Sequence, residues 1–293
     1  MEHLLFQFLV ILVVAFIAGI IGSLLGLGGG IIVIPALTLF LHIDFRLAAG
    51  ASIVSIIATS SGSAATYVKD RLSNIRVGMF LEILTSVGAV CGAFLAGMVK
   101  GSALYIVFAL VLLYSLIPMG RKILAELGLK RLPGASPQAR EIPPDPLAMK
   151  LGFSSSYYDP YAKRQIDYNL HRVPAGATIM YFAGLASGLL GIGSGVFKVV
   201  ALDTAMGMPM KASTATSNFM IGVTAAASAG IYFLRGDIDP LIAAPVALGV
   251  LAGSLIGTRL LARLAGASIR IIFFVVLAVI AIQMMLRGFG ATA

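Results

Sequence analysis

The sequence GLGGG at residues 26–30 interrupts a long apolar run, and GIGSG at residues 191–195 interrupts a second apolar run in the same way. A helix in lipid can lose its backbone pairing only where the freed N–H and C=O groups line a protein cavity. Matched breaks in two halves of a chain are typical of the broken helices that form substrate sites in transporters. The two clusters therefore predict a duplicated membrane protein with one broken helix in each half.

The composition places the chain in a lipid bilayer. Of its 293 residues, 59% are hydrophobic and 11% are charged, and the mean hydropathy is +1.01, whereas about 25% of the residues in soluble domains are charged. The first apolar run lacks the basic segment and cleavage site of a secretory signal, so we expect it to remain as a span. The net charge of +9 is concentrated in one connecting segment without a nucleic-acid motif, so we expect no nucleic-acid partner.

The lengths of the apolar runs predict the fold class. A membrane helix needs about 20 mostly apolar residues, and eight runs meet this requirement. We expect an all-α integral membrane protein with two repeats of four elements, the first element of each repeat being broken at its glycine cluster. The runs lie near residues 4–41, 47–68, 77–99, 102–120, 176–206, 212–234, 240–261 and 268–287.

An internal repeat is indicated by residue pairs that share the offset of the glycine clusters. Order and spacing are kept over so many positions that we expect two related halves. If each half crosses the membrane four times, the repeats are parallel, and if the glycine segment re-enters without crossing, they are inverted. At offset 165 the pairs are Arg46 with Lys211, Ala51-Ser52 with Thr216-Ser217 and Tyr67 with Tyr232, and at offset 161 they are Gly88 with Gly249 and Gly92 with Gly253.

A polar segment separates the two halves. Residues 121–174 contain seven prolines and nine Lys or Arg residues. We expect residues 1–120 and 175–293 to be the N- and C-terminal membrane repeats and the segment between them to be a hydrated linker with little fixed structure. An interfacial helix around residues 162–172 and an autoinhibitory plug are the alternatives. With an even number of crossings per half, the linker lies in the cytoplasm with both termini, as the positive-inside rule favours.

The glycine clusters predict an anion site. Unwinding there leaves two helix starts whose first amides lack an acceptor and whose dipoles present partial positive charge, and such ends attract oxyanions. Lys198 lies in the first turn after the second cluster, and a lysine at membrane depth is a functional hypothesis by default. The predicted binding residues are Gly28, Gly29, Gly30, Ser52, Gly193, Ser194, Gly195, Lys198, Thr216, Ser217 and Asn218.

Two carboxyl groups are candidates for ion coupling. Glu82 and Asp203 are the acidic residues expected deepest in the membrane, and either could carry a coupled proton. The structural alternatives are that Asp203 pairs with Lys198 or Lys211 and that Glu82 lies at the interface beside Arg76. Three scattered histidines and one cysteine have no metal-ligand spacing, so we expect no metal or other cofactor. No catalytic constellation occurs at recognisable spacing, so we expect no enzyme.

The motifs resemble those of the sulfite exporter TauE/SafE family. GLGGG is followed by Pro35 and then by Ala51-Ser52, with a degenerate second copy at residues 191–195 and Thr216-Ser217. The resemblance covers about residues 8–120 and 178–290. It implies about eight spans and the movement of sulfite, sulfoacetate or a related sulfur-containing anion across the bacterial cytoplasmic membrane, usually outward. The copies differ where Lys198 replaces Val33, Ser194 replaces Gly29 and Val200 replaces Pro35, which predicts an asymmetric site.

We therefore expect a secondary transporter that exports a small sulfur-containing anion by alternating access between two repeats in the bacterial inner membrane. The expected partners are that anion and the lipid bilayer, and the sequence does not predict an oligomeric state. The alternative is an anion-selective channel with the same glycine-lined site, which needs a continuous pore instead of alternating states.

Overall fold

The computed structural model describes residues 2–99, 101–126, 145–264 and 266–288. These residues form eleven helices, a π-helical segment (Ala201–Ala205) that continues the eighth helix, and one β-hairpin. The helices are α1 (Glu2–Leu25), α2 (Gly30–Phe40), α3 (Phe45–Lys69), α4 (Ile75–Ala96), α5 (Gly101–Glu126), α6 (Pro146–Lys150), α7 (Val173–Leu190), α8 (Gly195–Val200), α9 (Met210–Leu234), α10 (Pro240–Arg263) and α11 (Gly266–Gly288), and the strands are β1 (Ser155–Asp159) and β2 (Arg164–Tyr168).

Eight of the described helices are long and apolar enough to cross a membrane, namely α1, α3, α4, α5, α7, α9, α10 and α11. Many of their large apolar side chains are exposed on the outside of the bundle, which is where lipid replaces water as the solvent. The prediction of an all-α membrane protein with eight helices of membrane-spanning length is confirmed.

The glycine clusters separate a long helix from a short one in each half. Residues 26–29 lie between α1 and α2, and residues 191–194 lie between α7 and α8. Both breaks have positive φ at their first, third and fourth positions, so they share one backbone conformation. Glycine adopts this region without a steric penalty, and one non-glycine residue adopts it here. The six residues are Gly26, Gly28 and Gly29 in the first break and Gly191, Gly193 and Ser194 in the second.

Each half packs mainly against the other half. Helix α1 runs along α10 in the same direction, and α4 runs along α7 in the same direction. Glycines allow these close approaches: a Cβ atom added to Gly88 would lie 2.2 Å from the carbonyl oxygen of Tyr181. In the pair α1 and α10, Gly249, Gly253 and Gly257 lie against the carbonyl groups of Leu12, Phe16 and Ile20, respectively. Residue numbers increase in the same direction along both helices, so the two helices are parallel.

Corresponding helices of the two halves run in opposite directions. Arg235, just after α9, donates to the carbonyl oxygen of Ala93 near the end of α4 at 2.6 Å. Helix α10 starts a few residues later, so it begins at the end of the bundle where α4 finishes. Because α1 is parallel to α10 and α7 is parallel to α4, α1 and α7 are also antiparallel.

Each short helix returns to the end of the bundle at which its long helix began. The amide of His171, before α7, donates to the carbonyl oxygen of Met206, after the π-helical segment, at 3.0 Å. In the first half, α3 starts beside the turn that precedes α10, because a Cβ atom at Gly50 would lie 1.9 Å from the carbonyl oxygen of Asp237. Helix α1 also begins at that end. Each half therefore crosses the membrane an odd number of times.

The bundle has two chemically different ends. The terminal end carries the starts of α1 and α10 and the end of α11, where Arg287 donates to the carbonyl oxygen of Thr38. The linker end carries the starts of α4, α7 and α9 together with the residues between α5 and α7 that the structure describes. The expectation of an even number of crossings, with linker and N-terminus on one side, is wrong, because the break re-enters without crossing.

Residues 145–172, here called the docked segment, are folded against the linker end. The carboxylate of Asp145 caps α6 by accepting the amide of Leu147 and also accepts the amide of Val173 at the start of α7, both at 3.0 Å. Strands β1 and β2 pair antiparallel, and Phe153 and Leu170 are buried. The expectation of little fixed structure is wrong for these residues, and a strand replaces the interfacial helix considered near residues 162–172. Residues 127–144 of that expected linker lie outside the described residues.

Buried polar contacts hold the docked segment to the bundle. Lys211 of α9 forms an ion pair with Asp159 of β1 at 2.6 Å, with both side chains largely buried. Asn74, which caps α4, donates to the carbonyl oxygen of Phe153 at 3.1 Å and to the Tyr168 hydroxyl at 3.3 Å. Burial raises the pKa of the Tyr168 hydroxyl, so this group is protonated at neutral pH.

We expect cysteines at the two ends to react from opposite sides of the membrane. In a Cys91→Ser background, Ala162→Cys in the docked segment and Pro240→Cys at the start of α10 should each react with an impermeant maleimide from one side only, because both positions are exposed. Labelling of intact and permeabilised cells measures this. Met149→Cys on α6 is the matched control and should react with Ala162→Cys. Reaction of positions 162 and 240 from the same side would contradict the odd number of crossings, because an even number places both at the linker end.

Candidate functional site

The two glycine breaks contact each other in the interior of the bundle. A Cβ atom on Gly195 would lie 2.5 Å from the carbonyl oxygen of Gly26 and 2.8 Å from Cα of Leu27. The starts of α2 and α8 are thereby brought together from the two halves. Of the predicted binding residues, Gly28, Gly29, Gly30, Gly193, Ser194 and Gly195 all belong to this meeting point.

Two serines connect the breaks across the halves. The Ser52 hydroxyl donates to the carbonyl oxygen of Gly191 at 2.7 Å, and the Ser217 hydroxyl donates to that of Gly26 at 2.8 Å. Both serines are fully buried. Their hydroxyls cap carbonyl groups that α1 and α7 leave unpaired where these helices end. The serines are related by the same offset as the carbonyl groups they serve, so the two bonds are reciprocal.

Tyrosines satisfy a second pair of carbonyl groups near the breaks. Tyr67 donates to the carbonyl oxygen of Ser23 at 3.0 Å, and Tyr232 donates to that of Gly188 at 2.8 Å. Asn218 also donates to Ser23, at 2.7 Å. The side-chain oxygen of Asn218 is buried and has no hydrogen-bond partner among the described residues. A hydrogen-bond acceptor is therefore available next to the first break.

Thr216 lies apart from the other predicted site residues. Its hydroxyl accepts the amide of Asn74 at the start of α4 at 2.9 Å. The structure therefore uses Thr216 to hold the turn before α4 rather than to line the breaks, although its neighbour Ser217 reaches both Gly26 and Gly195.

Two isoleucines cover the glycines in this conformation. An added Cβ atom would lie 2.4 Å from Cδ1 of Ile221 at Gly28, and 2.7 Å from Cδ1 of Ile56 at Gly193. Both isoleucines are fully buried. A ligand can therefore reach the backbone of these breaks only after the isoleucine side chains move.

The backbone at the helix starts leaves donors available. The carbonyl oxygen of Gly29 accepts the amides of Ile32 and Val33, and that of Ser194 accepts the amide of Lys198. The amides before these begin the helices and lack acceptors within them. Helix α8 is short, but it continues directly into the π-helical segment, so its first turn has the dipole of a longer helix.

Lys198 is fully buried and ion-paired. Its ammonium lies 2.7 Å from the carboxylate of Glu82 on α4, and it donates to the hydroxyl of Thr224 on α9. Thr224 in turn donates to the second carboxylate oxygen of Glu82, which also accepts the Ser86 hydroxyl at 3.2 Å. The alternative that places Glu82 beside Arg76 at the interface is wrong, because Glu82 is buried and pairs with Lys198.

Asp203 belongs to a different pair. It lies in the π-helical segment and accepts from Arg270 of α11 at 2.8 Å, with both side chains buried. Lys211 pairs with Asp159 of the docked segment instead. The alternative that pairs Asp203 with Lys198 or Lys211 is therefore not the arrangement of the structure. Among the described residues no group of three or more His, Cys, Asp or Glu side chains is placed to hold a metal ion.

The fold and these contacts define a class of protein. Eight apolar helices, two re-entrant breaks that meet in the interior and a buried ion pair beside them are features of polytopic membrane transport proteins. The chain belongs to the sulfite exporter TauE/SafE family, whose model matches residues 11–284.

Curated relatives agree with this class. The chain is 26% identical to the probable membrane transporter protein YunE of Bacillus subtilis, over 96% of this chain and 98% of that protein. It is 25% identical to the probable membrane transporter protein YdhB of the same species, over 86% and 89% of the two chains. A probable membrane transporter protein of Sinorhizobium, ORF9, is also 25% identical, over 88% and 85%. No solved structure matches the chain significantly. These relatives are membrane transporters and not enzymes.

Sequence reasoning missed several residues at the centre. Ile56 and Ile221 share the offset of the glycine clusters, so the repeat itself could have identified them as a related pair. Thr224 is one of several residues with a hydroxyl group on α9, and nothing in its spacing along the sequence distinguishes it as the hydrogen-bond partner of Lys198. Arg270 lies far from Asp203 along the chain, and no local pattern connects the two.

We expect Ser52→Ala and Ser217→Ala each to destabilise the protein, because each leaves a buried carbonyl group without its donor at a cost of about 1–3 kcal/mol. Thermal denaturation in detergent micelles, followed by circular dichroism, measures the effect. Ser61→Ala is the matched control, since this exposed hydroxyl bonds only within α3. Equal midpoints for all three variants would contradict the role given to the two crossed bonds.

Proposed function

We propose that the chain is a secondary transporter that exports sulfite or a small organosulfur anion such as sulfoacetate, with the anion held between the starts of α2 and α8. The observation that carries this proposal is the meeting of two helix starts from opposite halves beside a buried lysine. Helix starts offer free amides and partial positive charge to an oxyanion. The family supports a small sulfur-containing substrate.

Alternating access follows from the arrangement of the helices. We infer that the halves are inverted repeats, because corresponding helices run in opposite directions and make corresponding cross-contacts. In such carriers one repeat moves against the other around a central site. Ile56 and Ile221 lie on corresponding helices of the two halves, so movement of α3 or of α9 would uncover the breaks from one side at a time.

The distribution of charge suggests the orientation in the membrane. Short loops on the cytoplasmic side carry an excess of Lys and Arg. We propose that the linker end faces the cytoplasm of a bacterial cell and that the terminal end faces outward. The described basic residues at the linker end include Lys69, Arg71, Arg76, Lys150, Lys163, Arg164, Arg172 and Lys211, against Arg46, Arg235 and Arg287 at the terminal end.

Counterflow distinguishes a carrier from a channel. In proteoliposomes preloaded with sulfite, sulfoacetate, taurine, thiosulfate or sulfate, we expect external labelled sulfite to accumulate transiently above equilibrium with one or more of the preloads. Only a carrier exchanges labelled for unlabelled substrate in this way. Label that merely equilibrates would favour the anion channel, and no flux with any sulfur anion would contradict the proposed substrate class.

The contribution of Lys198 is tested in the same assay. We expect Lys198→Ala and the double variant Glu82→Gln/Lys198→Met to lose about tenfold or more of the accumulation, since a hydrogen bond from a charged group contributes about 1.5–3 kcal/mol. The double variant leaves no lone buried charge, so it separates loss of binding from loss of folding. Lys69→Ala, an exposed lysine at the end of α3, is the control and should transport like the wild type.

A further inference from the structure

The ion pair beside the breaks sets a condition on anion binding, if the proposed function holds. Lys198 is not a free cation: its ammonium lies 2.7 Å from the carboxylate of Glu82, and the exposed fractions of the two side chains are 0% and 5%. The pair is neutral as a unit. An anion that reaches the start of α8 therefore competes with Glu82 for the lysine.

Burial makes a simple addition of charge costly. Each ion removed from water without compensation costs several kcal/mol in a protein interior, and charges at membrane depth are paired for this reason. An anion that binds while Glu82 stays ionised adds an uncompensated negative charge to the neutral pair. If Glu82 takes up a proton as the anion arrives, the lysine is released to the anion and the charge added by a single negative group is cancelled.

The hydroxyl groups around Glu82 suit both protonation states. Thr224 accepts from Lys198 and donates to Glu82, and Ser86 donates to the same carboxylate oxygen of Glu82. A hydroxyl group can rotate from donor to acceptor. A protonated Glu82 can therefore donate to either hydroxyl once the lysine has left, so it is not left as an unsatisfied buried group.

We propose that Glu82 is the proton-accepting residue of the transporter and that anion binding at Lys198 is coupled to the uptake of one proton by Glu82. The proton enters from the water on the side where the anion binds, stays on the carboxyl group while the anion occupies the lysine, and leaves on the other side when the ion pair forms again. Proton and anion thus move together in the same direction, and export requires an outward gradient of the anion that exceeds the inward gradient of protons.

The surroundings leave Lys198 as the charged partner of Glu82. Helix α7, which packs along α4, has no charged side chain and has Tyr181 as its titratable group, and α9 has Lys211, which Asp159 holds, and Tyr232, which bonds to Gly188. The docked segment contacts α4 through Phe153 on Phe80. On α4 itself, Arg76 lies at the exposed start, where it donates to Gly152, and Cys91 is exposed further along.

The pair has no counterpart in the other half. Val33 occupies the position that corresponds to Lys198, and Ala243 occupies the position that corresponds to Glu82 at the 161-residue offset between α4 and α10. Thr59 corresponds to Thr224, but its hydroxyl donates to the carbonyl oxygen of Ser55 within α3. Within the part of the chain that the structure describes there is therefore one such ion pair beside the breaks, which is why the expected stoichiometry is one proton for each anion.

Calorimetry of sulfoacetate binding to the purified full chain tests the proposal. Both acidic groups of sulfoacetate are ionised near neutral pH, so the ligand brings no proton of its own, and its second negative group is left to the amides of the helix starts. Titrations in buffers of different ionisation enthalpy give the number of protons taken up. We expect about one proton per anion for the wild type, with an affinity that falls by up to about tenfold for each unit by which the pH rises. Glu82→Gln should bind with an uptake near zero and an affinity independent of pH.

The control is Asp237→Asn, which neutralises a carboxylate paired with Arg235 at the terminal end and should take up one proton as the wild type does. Uptake near zero in the wild type, or an unchanged uptake in Glu82→Gln, would overturn the assignment while leaving the transporter proposal intact. No binding of either sulfoacetate or sulfite to the wild type would overturn both. If Glu82→Gln does not fold, infrared difference spectra of the wild type decide, because binding should produce a protonated carboxyl band.

Discussion

The structure depends on the requirement that backbone groups within a membrane find partners inside the protein. Each glycine break ends a helix in the interior and leaves carbonyl groups unpaired. The hydroxyls of Ser52 and Ser217 satisfy these groups in the opposite half, at 2.7 and 2.8 Å, whereas Tyr67 and Tyr232 satisfy carbonyl groups one turn earlier within their own halves. Because the serine donor to each break comes from the opposite half, the two halves must fold against each other, and the unpaired amides at the helix starts are what remains for a ligand.

On this nearly symmetric frame the charges are asymmetric. The ion pair between Lys198 and Glu82 occurs beside one helix start only, and the docked segment covers one end of the bundle only. In the proposed mechanism the symmetric frame would provide two similar conformations, open to either side, and the single ion pair would be the one chemical site that both conformations share. A nearly symmetric frame with one ion pair suits a carrier better than a pore, because a pore does not need an ion pair that makes anion binding depend on a proton.

The sequence predicted the parts of this structure that depend on composition and local backbone. Apolar length was enough for the eight helices, and the two glycine clusters were enough for the breaks at residues 26–29 and 191–194. It did not predict the odd number of crossings, because a re-entrant helix of eleven residues and half of a spanning helix have the same composition. The ion-pair partners of Glu82 and Asp203 could not be predicted either, because Lys198 and Arg270 lie far from them along the chain. The hairpin at residues 155–168 was missed because its polar sequence, with Pro160 between the two strands, resembles that of a solvated linker.

The central claim is that the two breaks form the anion site, and selenite tests it most directly. Selenite is a pyramidal oxyanion like sulfite, and selenium can be located in a crystal by its anomalous scattering. The account predicts one selenium position between Gly30 and Gly195, within hydrogen-bond reach of the first amides of α2 or α8 and of the Lys198 ammonium, with Ile56 and Ile221 displaced. Selenium bound only at the surface of the docked segment, with the isoleucines still packed on the glycines, would contradict it.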